Sequence, residues 1–160
     1  MSAWPEVRTS TIFCTAAIMA EAPVLVDTGY LVALINRKDL LHPQAKTLAR
    51  TWEKSGRQLL TTDGVLIEFA NFFARSPLRM LALEWIRRIR AGTPGWIVDR
   101  LTPRMIERAE ARYGAHPDKG WSLTDCLSME SMLDHGSKEA ATPDRHFVQA
   151  GFRILMTTSP

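Results

Sequence analysis

Four carboxylates stand out by their positions: Asp27 in VLVDTGYLVAL, Glu68 in DGVLIEFANFFARS, Asp125 in WSLTDCLSME and Asp144 in ATPDRHF. Taken singly, each has an ordinary explanation. Asp27 can cap a helix or begin a turn in which Gly29 supplies positive φ, and Glu68 can reach solvent from a helix flank. Asp125 can close a capping box begun by Ser122, and Asp144 can cap the short RHFVQAG segment. Taken together they read differently, because carboxylates gathered at one edge repel one another unless a cation lies between them. Oxygen donors without a Cys or paired-His pattern suit a hard ion, Mg²⁺ or Mn²⁺. Such ions keep waters that can attack a phosphodiester.

The elements that position these acids alternate short apolar runs with longer periodic ones. Residues 24 to 27 read as a buried strand and 29 to 36 as a short helix. HPQAKTLARTWEKSG is a helix with Pro43 near its start and Gly56 as its stop, and QLLTT is a second strand. Val65, Leu66, Phe69, Phe72 and Phe73 recur at helical spacing, as do Leu78, Leu81, Ala82, Trp85, Ile86 and Ile89. GWIVD is a strand, 102 to 113 and 122 to 135 are helices, and KEAAT and FRILM are the last strands. This rhythm implies an α/β domain with a central, mainly parallel sheet. In such sheets functional groups collect beyond the carboxyl ends of the strands, where Asp27 falls. Asn71 lies one turn beyond Glu68 on the same side of its helix.

VLVDTGYLVAL, LLTTDGVLIEFAN, WSLTDCLSME and TPDRHFVQAGF, in this order and spacing, resemble the PIN-domain family, specifically the VapC-like toxin ribonucleases of type II toxin–antitoxin systems. The resemblance covers roughly residues 24 to 155. It implies a three-layer α/β/α fold and a metal-dependent endoribonuclease. Asp27, Glu68, Asp125 and Asp144 fall on the family's acidic positions, with Thr28 and Thr124 on polar positions beside them. It also implies an RNA substrate, a homodimer and a cognate antitoxin. Asp118 in HPDKGWS is a possible additional acid near the third motif, although PDKG is also a good turn sequence.

Other candidates weigh less. Arg87, Arg88 and Arg90 occupy the solvent side of their helix, so an ordinary charged face explains them better than an RNA path. His42, His116, His135 and His146 show no HExxH or triad-like grouping, and His42 before Pro43 reads as a helix-start residue. Cys126 reads as a small core residue. Glu130 lies at helical spacing from Leu123 and Leu127, where an arginine partner would account for it.

At 160 residues, with 46% hydrophobic and 23% charged residues, the chain suits one soluble globular domain. A formal charge of +3 favours polyanions only mildly. Cys14 and Cys126 lie far apart, which disfavours zinc or a disulfide framework and fits a reducing cytoplasm. No uninterrupted apolar run spans a bilayer. Residues 1 to 22 are expected to be an extension outside the core, with Met19 a candidate natural start, and 23 to 157 the nuclease-like domain. Two rivals remain at this level. One is a non-catalytic module that binds RNA or an antitoxin-like partner. The other is an enzyme with Asp27 as phosphoacceptor, although DTG lacks a D-x-D arrangement.

Overall fold

A computed structural model describes residues 21 to 158, so most of the expected N-terminal extension lies outside the described residues. Strand β1 (Val24–Val26) leads into α1 (Thr28–Ile35) and α2 (His42–Ser55). Then come β2 (Leu59–Thr62), α3 (Asp63–Phe72), α4 (Arg79–Arg90), β3 (Trp96–Asp99) and α5 (Pro103–Ala115). The chain closes with α6 (Leu123–Asp134), β4 (Glu139–Ala141), α7 (His146–Gln149) and β5 (Arg153–Ile154). The sheet runs β3-β2-β1-β4-β5 with every pairing parallel. β1 sits at its centre and is buried on both faces, as its unbroken VLV requires.

Alternation along β1 divides the core in two. Val24 and Val26 pack with Tyr30, Leu31, Trp52, Leu66, Phe69 and Ile89 from α1 to α4. Leu25 points the other way, with Leu60, Met105, Ala109, Leu127, Met129, Met132 and Phe147 beneath α5, α6 and α7. Helices on both faces of a parallel sheet give the three-layer arrangement.

Local signals account for most boundaries. Thr62 and Thr102 accept hydrogen bonds from Val65 N and Met105 N as N-caps, and Gly56 ends α2 at φ 67°. The last strands are shorter than KEAAT and FRILM lead one to expect, because Thr142 leaves the ladder and turns its hydroxyl toward β1. Phe72, expected in the core stripe, is 61% exposed, because α3 ends there and its ring lies edge-on against buried Phe73. Glu130 has the arginine partners its position asks for, Arg108 and Arg112. Cys126 is fully buried in the core. No helix among the described residues is long and apolar enough to cross a membrane.

Candidate active site

Asp27 directly follows β1 and occupies the N-cap position of α1, yet its side chain makes no capping hydrogen bond. Its Oδ2 instead accepts from Thr142 Oγ1 at 2.8 Å. The same Thr142 hydroxyl accepts from Asp144 N at 3.1 Å. One hydroxyl therefore ties together the carboxyl ends of the neighbouring strands β1 and β4. Gly29 makes the approach possible. It lies within α1 at negative φ, so it supplies no turn; a Cβ there would stand 2.9 Å from Pro143 Cδ.

Asp27 is only 8% exposed. Burial pushes its carboxyl from 3.8 up to about 7, against the pull of the Thr142 hydrogen bond, and the charges of Asp125 and Glu68 add to the rise. Among the described residues no cationic side chain pairs with it.

Glu68 is exposed on α3, and Oε2 accepts from Thr28 Oγ1 at 2.6 Å. Thr28 thus joins the first turn of α1 to the middle of α3. Asn71 is exposed one turn further on, with no side-chain hydrogen bond among the described residues. Thr124, half-buried in the first turn of α6, stands against the start of α3, where a Cβ on Gly64 would come within 3.8 Å of Thr124 Cγ2 and 3.1 Å of Leu127 Cδ1.

Asp125 is the third residue of α6 and 8% exposed. It does close a capping box with Ser122: Oδ2 accepts from Ser122 N at 2.8 Å while Ser122 Oγ accepts from Asp125 N at 3.0 Å. Asp144 Oδ1 accepts from His146 N at 2.8 Å, a local bond that starts α7. Both carboxylates also meet His146, whose Nδ1 lies 3.2 Å from Asp125 Oδ2 and 3.3 Å from Asp144 Oδ2. One donor atom from each of Asp125, Asp144 and His146 falls within 4.8 Å of the others.

Asp118 stands apart from these groups: it is exposed, pairs with Lys119 at 3.1 Å and is held below the usual carboxylate range by that neighbour's hydrogen bond. The arginines of α4 face solvent or nearby acids, with Arg88 on Glu84 and Arg90 on Asp63.

A divalent ion fits this donor set. Three donor atoms already converge, and beside them is a buried carboxylate whose ionisation burial opposes and no side-chain cation relieves.

The sequence model for the PIN domain matches residues 24–153. The chain belongs to the PIN-domain family. Among solved structures, this PIN domain is similar to Mycobacterium tuberculosis VapC20, described as a sarcin-ricin loop cleaving toxin. The two share 28% identity at a TM-score of 0.70, with 81% of this chain and 95% of that one covered. FitAcB from Neisseria gonorrhoeae has the same fold, at TM-score 0.56 and 12% identity over 82% of this chain and 95% of that one. No curated protein sequence matches.

Two polar residues of this PIN domain were passed over in the sequence. Thr142 opens the TPDRHFVQAGF motif, and a hydroxyl two residues before an acid at a strand end is the signal that marks it. His146 follows Asp144 by two residues, a spacing that lets one turn present both side chains, whereas an HExxH pattern sets its ligands a full helical turn apart.

Proposed function

We propose that this PIN domain is a divalent-metal-dependent endoribonuclease, the toxin of a toxin–antitoxin pair, working in the cytoplasm as a homodimer with a cognate antitoxin protein as its partner. What supports the reading is the gathering of Asp27, Asp125 and Asp144 at adjoining strand and helix ends, with Glu68 held close by Thr28, in a chain similar to VapC20 over most of its length.

In this reading Asp27, Glu68, Asp125 and Asp144 would hold Mg²⁺ or Mn²⁺. When bound, the ion supplies Lewis-acid polarisation of the scissile phosphate, a lowered pKa for attacking water and neutralisation of charge on the leaving oxygen. The chain's own part is orientation. Thr142 fixes the Asp27 carboxylate, Ser122 N fixes that of Asp125, and Thr28 fixes Glu68, so none has to be ordered when substrate arrives. Asn71 and Thr124 lie on the same helices as Glu68 and Asp125 and are assigned the orientation of carboxylates or of water at the ion.

The test is cleavage by the purified full chain of total RNA and of a ribosomal stem-loop fragment, with Mg²⁺, Mn²⁺ or chelator, followed by end mapping. Defined ends that appear only with metal and vanish in Asp27→Asn support the reading. Binding of RNA without cleavage under any metal supports a non-catalytic module instead. Recovery of an acid-labile acyl phosphate on Asp27 would support the phosphoacceptor alternative.

A further inference from the structure

The imidazole of His146 sits between two acids assigned to the ion, and its orientation is specific. Nδ1 is turned inward, 3.2 Å from Asp125 Oδ2 and 3.3 Å from Asp144 Oδ2. Nε2 is turned away, toward the loop before α6, where a Cβ on Gly120 would lie 3.9 Å from it. The backbone fixes this arrangement. Asp144 Oδ1 is engaged by His146 N, which leaves Oδ2 facing the imidazole, and Ser122 N holds the same Asp125 Oδ2 that Nδ1 meets.

The two Nδ1–carboxylate distances suit both a hydrogen-bond donor and ligands sharing one ion. Donors about 2.1 Å from an octahedral divalent ion stand about 3 Å apart at neighbouring vertices. Nδ1 meets each carboxylate oxygen near that distance with no side-chain rotation. A second observation comes from Asp27, 8% exposed, whose carboxylate accepts from the Thr142 hydroxyl and has no cationic side-chain partner among the described residues.

We infer that His146 is a metal ligand through Nδ1, making with Asp125 and Asp144 a mixed nitrogen–oxygen site that prefers a transition-series divalent ion to Mg²⁺. The inference rests on the metal-site part of the proposed function and refines it. Imidazole adds little to the binding of Mg²⁺, which favours oxygen and water, and adds more along the transition series. In the ligand form the Nδ1 lone pair faces the ion and the proton resides on Nε2, on the side of Gly120. The competing role is that of a hydrogen-bond donor that only orients the two carboxylates.

His146→Asn separates the two roles, because the amide NH₂ keeps a donor near the position of Nδ1 but offers no ring nitrogen. The full chain, without RNA, is titrated with Mn²⁺ followed by electron paramagnetic resonance, then with Mg²⁺ as competitor, for wild type, His146→Asn and His146→Ala. Pulsed spectra of the Mn²⁺ form read nitrogen coupling directly. Wild type is expected to show coupling to one imidazole nitrogen that ¹⁵N-histidine labelling shifts. His146→Asn should lose that coupling, and its preference for Mn²⁺ over Mg²⁺ should fall about 10-fold, the scale of losses at metal sites. Absence of nitrogen coupling in wild type, or an unchanged ion preference in His146→Asn, overturns the assignment. Should the variants fail to fold, the labelled wild-type spectrum decides alone. RNA cleavage is scored separately. Nitrogen-coupled Mn²⁺ binding without cleavage removes the nuclease reading and leaves the ligand, whereas cleavage without nitrogen coupling does the reverse.

Discussion

Replacing Asp27 by Asn should stabilise the protein in the presence of a chelator, and the gain should depend on pH. In the folded chain the Asp27 carboxyl titrates at about 7, raised from 3.8 mainly by burial. A carboxyl whose folded pKa is raised favours folding while it is protonated. That contribution is complete below the unfolded value, is lost as pH climbs, and is gone above about 7. At about 1.4 kcal/mol for each pH unit, the interval corresponds to a penalty on the order of 4 kcal/mol in wild type at pH 8. About 3 kcal/mol of this develops between pH 5 and pH 8. Asn keeps an acceptor for the Thr142 hydroxyl and carries no charge, so it escapes the penalty. No helix-cap energy is forfeited, since Asp27 makes no capping hydrogen bond. The assay is urea unfolding of both chains in chelator at pH 5 and pH 8. The stability gap in favour of the variant should widen by about 3 kcal/mol between the two. A gap of the same size at both pH values, or a variant less stable than wild type at pH 8, would refute the reasoning. With Mg²⁺ or Mn²⁺ added at pH 8, wild type should gain stability and the variant little, while RNA cleavage by the variant should be abolished.

The Thr142 hydroxyl bridges Asp27 and Asp144 N, so Thr142→Val should lower cleavage by about 10- to 100-fold and cost about 1 to 3 kcal/mol, with Thr142→Ser restoring most of both. Gly29→Ala drives a methyl into the rigid Pro143 ring and should cost about 1 to 3 kcal/mol in thermal or chemical unfolding. Gly64→Ala is tight only against the end of a flexible Leu127 side chain, so it should cost less; the reverse order would show that the α1–Pro143 contact is not the tighter one. Asp118→Ala removes an exposed carboxylate paired only with Lys119 and should leave stability within about 0.5 kcal/mol and cleavage unchanged. A tenfold loss of cleavage in that variant would put Asp118 back among the site residues.

What the sequence reveals of this molecule follows from the range of the interactions involved. The strand and helix order was legible because most elements carry their own periodicity and punctuation, and an unbroken VLV ended by an acid is what a strand covered on both faces looks like. Asp27 was legible as an edge residue for the same reason: it is the first polar residue after that strand. Periodicity fails where an element stops. Phe72 fits the apolar stripe of α3, but the helix ends at that residue and leaves most of the ring exposed beside Phe73. It fails again for contacts distant in sequence. His146 meets Asp125 across 21 positions and Thr142 meets Asp27 across 115, and no local pattern encodes either pair.

Asp125 shows why weighing a structural role against a chemical one, residue by residue, underrates such sites. The capping box is real: Oδ2 holds Ser122 N and the Ser122 hydroxyl holds Asp125 N. A cap of this kind engages the carboxylate and so competes, in principle, with metal binding. A carboxylate oxygen has two lone pairs, however, so an atom that accepts from a backbone amide retains one direction for another partner, here the Nδ1 side of His146. The cap also fixes the carboxylate's rotamer at the first turn of α6, which lowers the entropy lost when that second partner binds. Asp144 divides the two tasks between its oxygens instead, Oδ1 accepting from the amide of His146 and Oδ2 facing the imidazole. In both cases the local hydrogen bond orders the carboxylate that the metal reading needs, so finding the cap raises the weight of that reading.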